Sequence, residues 1–377
     1  MYSFANEITG YVGFEGRGFI DKPLYSNQKD NSLSTSINLE YFHDFEEVNE
    51  SIVASIFARK DSSADGRDHI DISELYWWKA YENFELYIGA RKVFWGVTET
   101  SHLVDVINSS DSVENVDGED KLGQPMISLL YEQDWGTVEL FALLGFREPT
   151  YLGAKDRLRS ELLVDKDSTS YESSQEEKHI DFAVRYSHVL GDMDLGLIYF
   201  NGTSRNATYS KISVNNEDIL QAHYNQVQIF GGDFQLTKGD FLWKLEATHS
   251  KPRSDSSYYS QVGGFEYTFV GLADSNADLG IFAEYQYDER DYAFGQNDLA
   301  IGTRFVLNDT QSTEFLAAIT QDLDNKTKFI SVEASRRLTD TWSIESELRI
   351  FSTVGSDDSL YELREDDYLQ VVLKRYF

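Results

Sequence analysis

The chain contains no cysteine, only 4 Pro and 3 Met among 377 residues, and its 33 Lys and Arg are outnumbered by 65 Asp and Glu. Without cysteine, neither a disulfide framework nor a thiolate metal site can form. A formal charge of −32 repels phosphate and sets nucleic-acid binding aside. Long apolar runs are also missing. The longest are short pieces such as 140–146 and 315–319, far below the ~20 residues of a spanning helix. The first five residues, Met1–Ala5, carry neither the basic stretch nor the apolar core of a secretory signal. That fits a cytosolic chain or a mature form whose signal has been removed, and the strand pattern favours the mature form.

What is present is aromatic. With 24 Phe, 23 Tyr and 6 Trp, the chain has far more apolar surface than a disordered segment of equal charge. The dominant period is two. Ile180, Phe182, Val184 and Tyr186 alternate with Asp181, Ala183, Arg185 and Ser187, and Leu279, Ile281, Ala283, Tyr285 and Tyr287 alternate with Gly280, Phe282, Glu284 and Gln286. Such alternation gives strands with one apolar and one polar face. Eighteen segments of this kind are predicted, beginning near residues 7, 33, 50, 68, 83, 124, 136, 179, 192, 221, 240, 258, 278, 297, 313, 326, 341 and 367. In the segments near 68 and 221 the register breaks at 74–78 and 228–234, where bulges are expected.

The connections alternate in length. Short turns fall at 46–48, 81–83, 134–136, 190–192, 238–240, 274–276, 308–310 and 339–341. The longer links are 21–31, 99–122, 147–178, 201–219 and 353–366, with shorter ones at 252–257, 290–295 and 323–325. Short turns at one end and long loops at the other are the layout of an all-β, antiparallel transmembrane barrel of about 18 strands. An even strand count puts both termini at the short-turn, periplasmic end. Closure follows from lipid itself, which leaves no unbonded strand edge tolerable. A soluble sandwich or propeller would alternate too, but need not alternate its turn lengths, and no propeller-like internal repeat is found. Tyr41, Trp77, Trp78, Tyr131, Trp135, Tyr199, Trp342 and Tyr376 sit at strand ends, as interfacial girdles do. The whole of 1–377 reads as one barrel domain.

Eighteen strands enclose more space than inward side chains can fill. The inward face carries Arg17, Arg59, Arg91, Arg185, Lys244, Arg304, Arg337 and Arg349. Its acids are Glu15, Glu40, Glu85, Glu139, Asp181, Asp194, Glu246, Glu266, Glu284, Glu333, Glu345 and Glu347. Such a two-signed lining suits a water-filled pore, its acidic lean implies mild cation preference, and cross-strand pairing is the plainer role for the same charges. The stretch 91–126 is the most distinctive. Its loop, 99–122, combines Glu99, His102, Asp105, Asp111, Glu114, Asp117, Glu119 and Asp120 with an apolar segment, Leu103–Ile107. Two placements compete: folded inward against the wall as a constriction, or extracellular and solvated. Asp111, Glu114, Asp117, Glu119 and Asp120 are also candidate Ca²⁺ ligands, although their spacing is not that of an EF-hand. The mixed-charge loop 147–178 reads as a lid over the mouth.

No HExxH, GxSxG, Walker or GxGxxG pattern is present, so neither enzymatic chemistry nor a cofactor is indicated. Leu369, Val371, Leu373 and Phe377 alternate to a terminal aromatic, with Arg375 where another apolar residue is usual. This ending resembles the C-terminal signal by which barrel-assembly machinery recognises its clients. The chain as a whole resembles porin-like outer-membrane barrels of Gram-negative bacteria. Arg91–Gly96 with His102–Asn108 is similar to a stretch of a proteobacterial barrel family of unassigned role and, more loosely, to 18-stranded alginate-export-type channels. The resemblance implies a bacterial outer-membrane location, contact with lipid and lipopolysaccharide, and transport rather than catalysis, since the barrels of outer-membrane enzymes have 10 or 12 strands. Alginate exporters are implied to have a strongly basic pore, which this mixed lining is not. Maltoporin-like sugar channels are implied to use a line of lumen aromatics, for which Phe42, Phe57, Tyr87, Trp95, Phe141, Phe200, Phe282 and Phe351 are available. Three functions remain in competition: a diffusion channel for small hydrophilic solutes or ions, a substrate-specific conduit for saccharide uptake or product export with a periplasmic partner on its short-turn face, and a structural or adhesive barrel.

Overall fold

The computed structural model describes residues 5–45, 49–291, 293–352 and 354–377. The expected turn at 46–48 lies outside the described residues. In chain order the strands are β1 (Ala5–Phe19), β2 (Asn31–Phe45), β3 (Glu50–Asp61), β4 (His69–Ala80), β5 (Phe84–Arg91), β6 (Gln124–Gln133) and β7 (Gly136–Leu144). There follow β8 (Ser170–Tyr171), β9 (Ile180–Leu190), β10 (Met193–Thr203), β11 (Thr208–Val214), β12 (Glu217–Tyr224), β13 (Gln226–Lys238) and β14 (Phe241–Pro252). The last are β15 (Tyr258–Phe269), β16 (Asp278–Asp288), β17 (Asn297–Val306), β18 (Glu314–Asp322), β19 (Lys328–Thr339), β20 (Trp342–Ser352) and β21 (Tyr368–Tyr376).

Eighteen of these pair antiparallel with their neighbours, and β1 closes on β21 through the register Tyr11↔Tyr376 to Phe19↔Tyr368. The fold is therefore a closed, all-β, 18-stranded barrel. Strands β8, β11 and β12 stand apart as a small three-stranded sheet in the long loops. Seventeen barrel strands begin within two residues of the positions expected from alternation. The exception is the segment expected near 221. Residues 221–224 belong to β12 of the loop sheet, and the barrel strand begins at Gln226. Alternation runs through both strands, so periodicity could not see the break at Asn225. The expected bulge at 74–78 lies just upstream: Ser55 pairs with Glu74 and Ile56 with Ile72, leaving Ser73 as the extra residue. No bulge interrupts 228–234, which pairs continuously on both sides. Gly231 and Gly232 had broken the hydrophobic pattern there, not the ladder.

The outer surface is a band of exposed apolar side chains, among them Ile127, Leu140, Phe182, Leu197, Phe230, Leu245, Ile281, Ile301 and Phe315. Water would penalise such a continuous band at ~25 cal/mol per Å², whereas hydrocarbon accepts it. The polar alternates point inward. Trp78 departs from the expected girdle: its indole N–H donates to Glu85 and its ring lies by Tyr87, whose face carries the Arg91 guanidinium, so the bulge has turned this residue into the lumen.

Candidate functional site

The lumen is crossed by the chain between β5 and β6. Gly123 lets the loop return over the β4 bulge, since a Cβ there would sit 2.1 Å from the Ser73 carbonyl oxygen. At its base, Asn108 clamps the two arms: its Oδ1 accepts from the Val93 N–H, and its Nδ2 donates to the carbonyls of Arg91 and Leu122. The apolar segment supplies the adhesion. Val104, Val106 and Ile107, with Val93 and Trp95, pack on Met126, Phe141, Leu143, Ala183, Ile198, Phe200 and Val227 of the wall. Of the two placements left open by the sequence, the loop takes the inward one. Phe141 and Phe200, candidate slide aromatics, lie beneath it.

Beyond that contact the loop is held by carboxylates of the wall. Glu246 of β14 accepts N–H donors from Val97, Thr98 and Val104. Glu284 of β16 accepts those of Glu99 and Thr100. Buried carboxylates satisfied by several N–H groups make strong, directional latches. The loop answers with its own acids. Glu99 reaches Arg304 of β17 at 2.6 Å and lies 3.9 Å from Lys244 of β14. β5 is the fifth strand around the wall and β17 the fourteenth, so the loop spans the full width of the lumen. Its return arm binds the remaining wall. Glu114 pairs with Arg59 at 2.7 Å, Arg17 donates to the Glu114 carbonyl, and Asp117 pairs with Arg349 at 3.0 Å.

The other expected lining charges mostly pair along the wall. Arg91 lies 3.5 Å from Glu139, Arg185 pairs with Asp233 at 2.8 Å, Lys244 lies 3.6 Å from Glu266, and Lys374 pairs with Glu345 at 2.7 Å. Arg349 also meets Glu333 and Glu347. Arg337 stands exposed at the short-turn rim, donating to Ser312 beside the β19 bulge. Glu284 is not an open pore charge, because the loop occupies it.

The acids considered for Ca²⁺ are dispersed. Asp111 accepts from Thr150 and faces His69, Glu114 faces Arg59, Asp117 faces Arg349, and Glu119 faces His102 at 3.0 Å. Asp120 lines the open lumen. Among the described residues no group of three or more such side chains is arranged to hold a metal ion. Asp105 is paired with Lys121 at 3.3 Å. Burial disfavours the charged form of His102, but the carboxylates of Glu119, at 3.0 Å, and Glu246, at 3.9 Å, push its pKa up to about 10. It is therefore an imidazolium at neutral pH.

A second layer covers the mouth. Arg157, in the loop between β7 and β9, is buried over the Phe19 ring and donates to the Asp366 carboxylate and the Glu365 carbonyl. Its neighbour Asp156 accepts from the Gly66 N–H at 2.9 Å, and Gln28 donates to the Asp156 carbonyl. The loop thus starts at β7 and is pinned on the far rim. Leu158 and Leu152 there share an apolar cluster with Val116 of the inner loop and with Phe351 and Tyr368 of the wall. Arg205 ties the layers again, donating to the Ile107 carbonyl and to Asp181. Sequence reasoning gave no role to Arg157, Asp366, Arg205 or Asn108, because their partners are distant in the chain or lie in loops whose spacing carries no pattern.

Beside the inner loop two adjoining spaces remain. One, about 450 Å³, is lined by Glu15, Arg59, Glu114, Asp120 and Lys374 among others. The other, about 350 Å³, runs past Arg304, Glu314 and Glu333. They meet at Glu345, Glu347, Gln370 and Val372. The fold and site together define a transmembrane β-barrel with a polar lumen narrowed by an inward loop.

No family model and no curated protein matches the chain. Among solved structures, a loop-deletion mutant of OmpT, an outer membrane protein of Vibrio cholerae, is 10% identical with a TM-score of 0.49 over 100% of both chains. The in-vitro folded trimer form of OmpT is 10% identical with a TM-score of 0.48, again over 100% of both. A triple mutant of Rh. blastica porin is 9% identical with a TM-score of 0.47, over 99% of this chain and 100% of that one.

Proposed function

We propose that this chain is a channel in the outer membrane of a Gram-negative bacterium, passing small hydrophilic solutes or ions through a lumen narrowed by residues 99–122. The observation that carries this reading is the inner loop itself, latched across the lumen by Glu246, Glu284, Arg304, Arg59 and Arg349 yet leaving polar space beside it. A structural barrel has no use for a bridge latched across its lumen with polar space kept beside it. Membership of the outer membrane is supported by the lipid-facing band, and lipopolysaccharide contact and assembly through Phe377 belong to the same reading. The acidic lean of the lining supports a mild preference for cations.

Single-channel currents of refolded protein in a planar bilayer, under a salt gradient, test this. Steady steps with a cation-favouring reversal potential are expected. Silence from verified barrels, unchanged when 99–122 is deleted, would reject the channel. The pinned outer loop favours a second reading, a substrate-specific conduit that opens with a ligand or a periplasmic partner. Currents that appear only when the Arg157 anchor is broken would select it.

A further inference from the structure

We propose that the mouth of the barrel carries a divalent-cation site built from Asp298, Asp322 and Thr327. Asp298 shares the inward face of β17 with Arg304, six residues along, which grips Glu99 of the inner loop. Asp322 shares the inward face of β18 with Glu314, the wall partner of Arg304. The two aspartates are direct cross-strand partners. Like charges directly opposite each other destabilise a sheet. Here burial raises the cost, because Asp298 is 7% and Asp322 9% exposed.

Elsewhere in the lumen several inward acids are paired with a cation. Glu99 and Glu314 share Arg304, and Asp288 is bonded to Arg290 one turn away. Among the described residues no Lys, Arg or His pairs with Asp298 or Asp322. Asp322 accepts the N–H groups of Asp324 and Asn325 and the Asn325 amide, whereas among the described residues Asp298 accepts only the Asn297 N–H, at 3.3 Å. An independent observation points to the same spot. Thr327 is 3% exposed, and among the described residues its hydroxyl has no hydrogen-bond partner. All three residues line one cavity of about 20 Å³, room for a single water-sized body.

Two carboxylates and a hydroxyl form an oxygen-only set, which selects a hard cation of the Ca²⁺ or Mg²⁺ class over softer metals. A dication there would neutralise the opposed pair, satisfy Thr327 and fasten β17 to β18 at the rim. The site is separate from the inner-loop acids, most of whose charges are already matched.

The test uses the full chain, refolded in detergent, stripped with EDTA and titrated with CaCl₂ by calorimetry and by thermal unfolding. One saturable site and a raised unfolding midpoint are expected. Replacing both Asp298→Asn and Asp322→Asn should abolish both effects, and that variant should be at least as stable in EDTA as the parent, because the repulsion is gone. Thr327→Val should weaken binding by about tenfold, on the scale of losing a supporting group at a metal site, and it carries the test if the double variant fails to fold. Glu114→Gln with Asp117→Asn should bind Ca²⁺ as the parent does. Absence of saturable binding in the parent, or binding that survives the Asp298/Asp322 double substitution, overturns the proposal. Neither result depends on whether the barrel conducts.

Discussion

Glu246 concentrates the loop's attachment in one side chain. Its carboxylate is buried and accepts three main-chain N–H groups, with the His102 imidazolium close by. Hydrogen bonds to a charged group contribute about 1.5–3 kcal/mol. Glu246→Gln should therefore loosen 97–104 without unfolding the barrel, read as faster amide exchange in that segment and noisier open-channel current. His102 adds a pH dependence of definite sign. Its pKa is raised from 6.5 to about 10, so its contribution to docking is complete below about 6.5 and is lost as pH rises through about 10. Current noise should grow between about pH 8 and 10 in the parent, and His102→Gln should flatten that rise. A rise of equal size in the variant would assign it to another group.

At the scale of elements, the two loops act as stacked crossbars with different fastenings. The inner one adheres by an apolar stripe and is latched by charge. Deleting 99–122 should raise single-channel conductance several-fold, since the bridge between β5 and β17 is removed. The outer one depends on a point anchor. Breaking a buried ion pair by removing one partner typically costs about 3–5 kcal/mol. Arg157→Ala should leave Asp366 buried without its cation and release 147–178, detected as new protease cleavage within that loop while the barrel stays intact. Leu158 beside the anchor holds a left-handed backbone, φ 63°, a strain the anchor must maintain. An unchanged cleavage pattern would show that the loop sheet of β8, β11 and β12 holds the lid unaided.

For the whole molecule the governing fact is closure with an apolar exterior and a charged interior. Each face is tested by exchange. Ile301 faces lipid from the middle of β17, and Ile301→Arg should cost about 2–4 kcal/mol of folding free energy in a bilayer. Denaturant titration in liposomes measures it, and a loss below 1 kcal/mol would contradict the lipid-facing assignment. The interior charges were legible as a set because the same period of two that placed Ile301 outward placed Arg304 inward. Their partners were not, since alternation fixes which face a side chain takes but not what it meets across the lumen.

The sequence by itself determined the strands, their faces, the closed barrel and which links are long. These follow from local periodicity and from the demand that every backbone group in lipid be bonded. It also marked 99–122 as unusual, through apolar residues stranded in an acidic loop. Only the tertiary structure decided that this loop crosses the lumen to Arg304, that Glu246 and Glu284 are latches rather than open charges, and that Arg157 carries the outer loop to the far rim. It also separated β12 from β13 and set Asp298 against Asp322. Each of these depends on contacts between residues distant in the chain. Such contacts are set by strand register and barrel closure, which bring together groups that no spacing along the sequence relates.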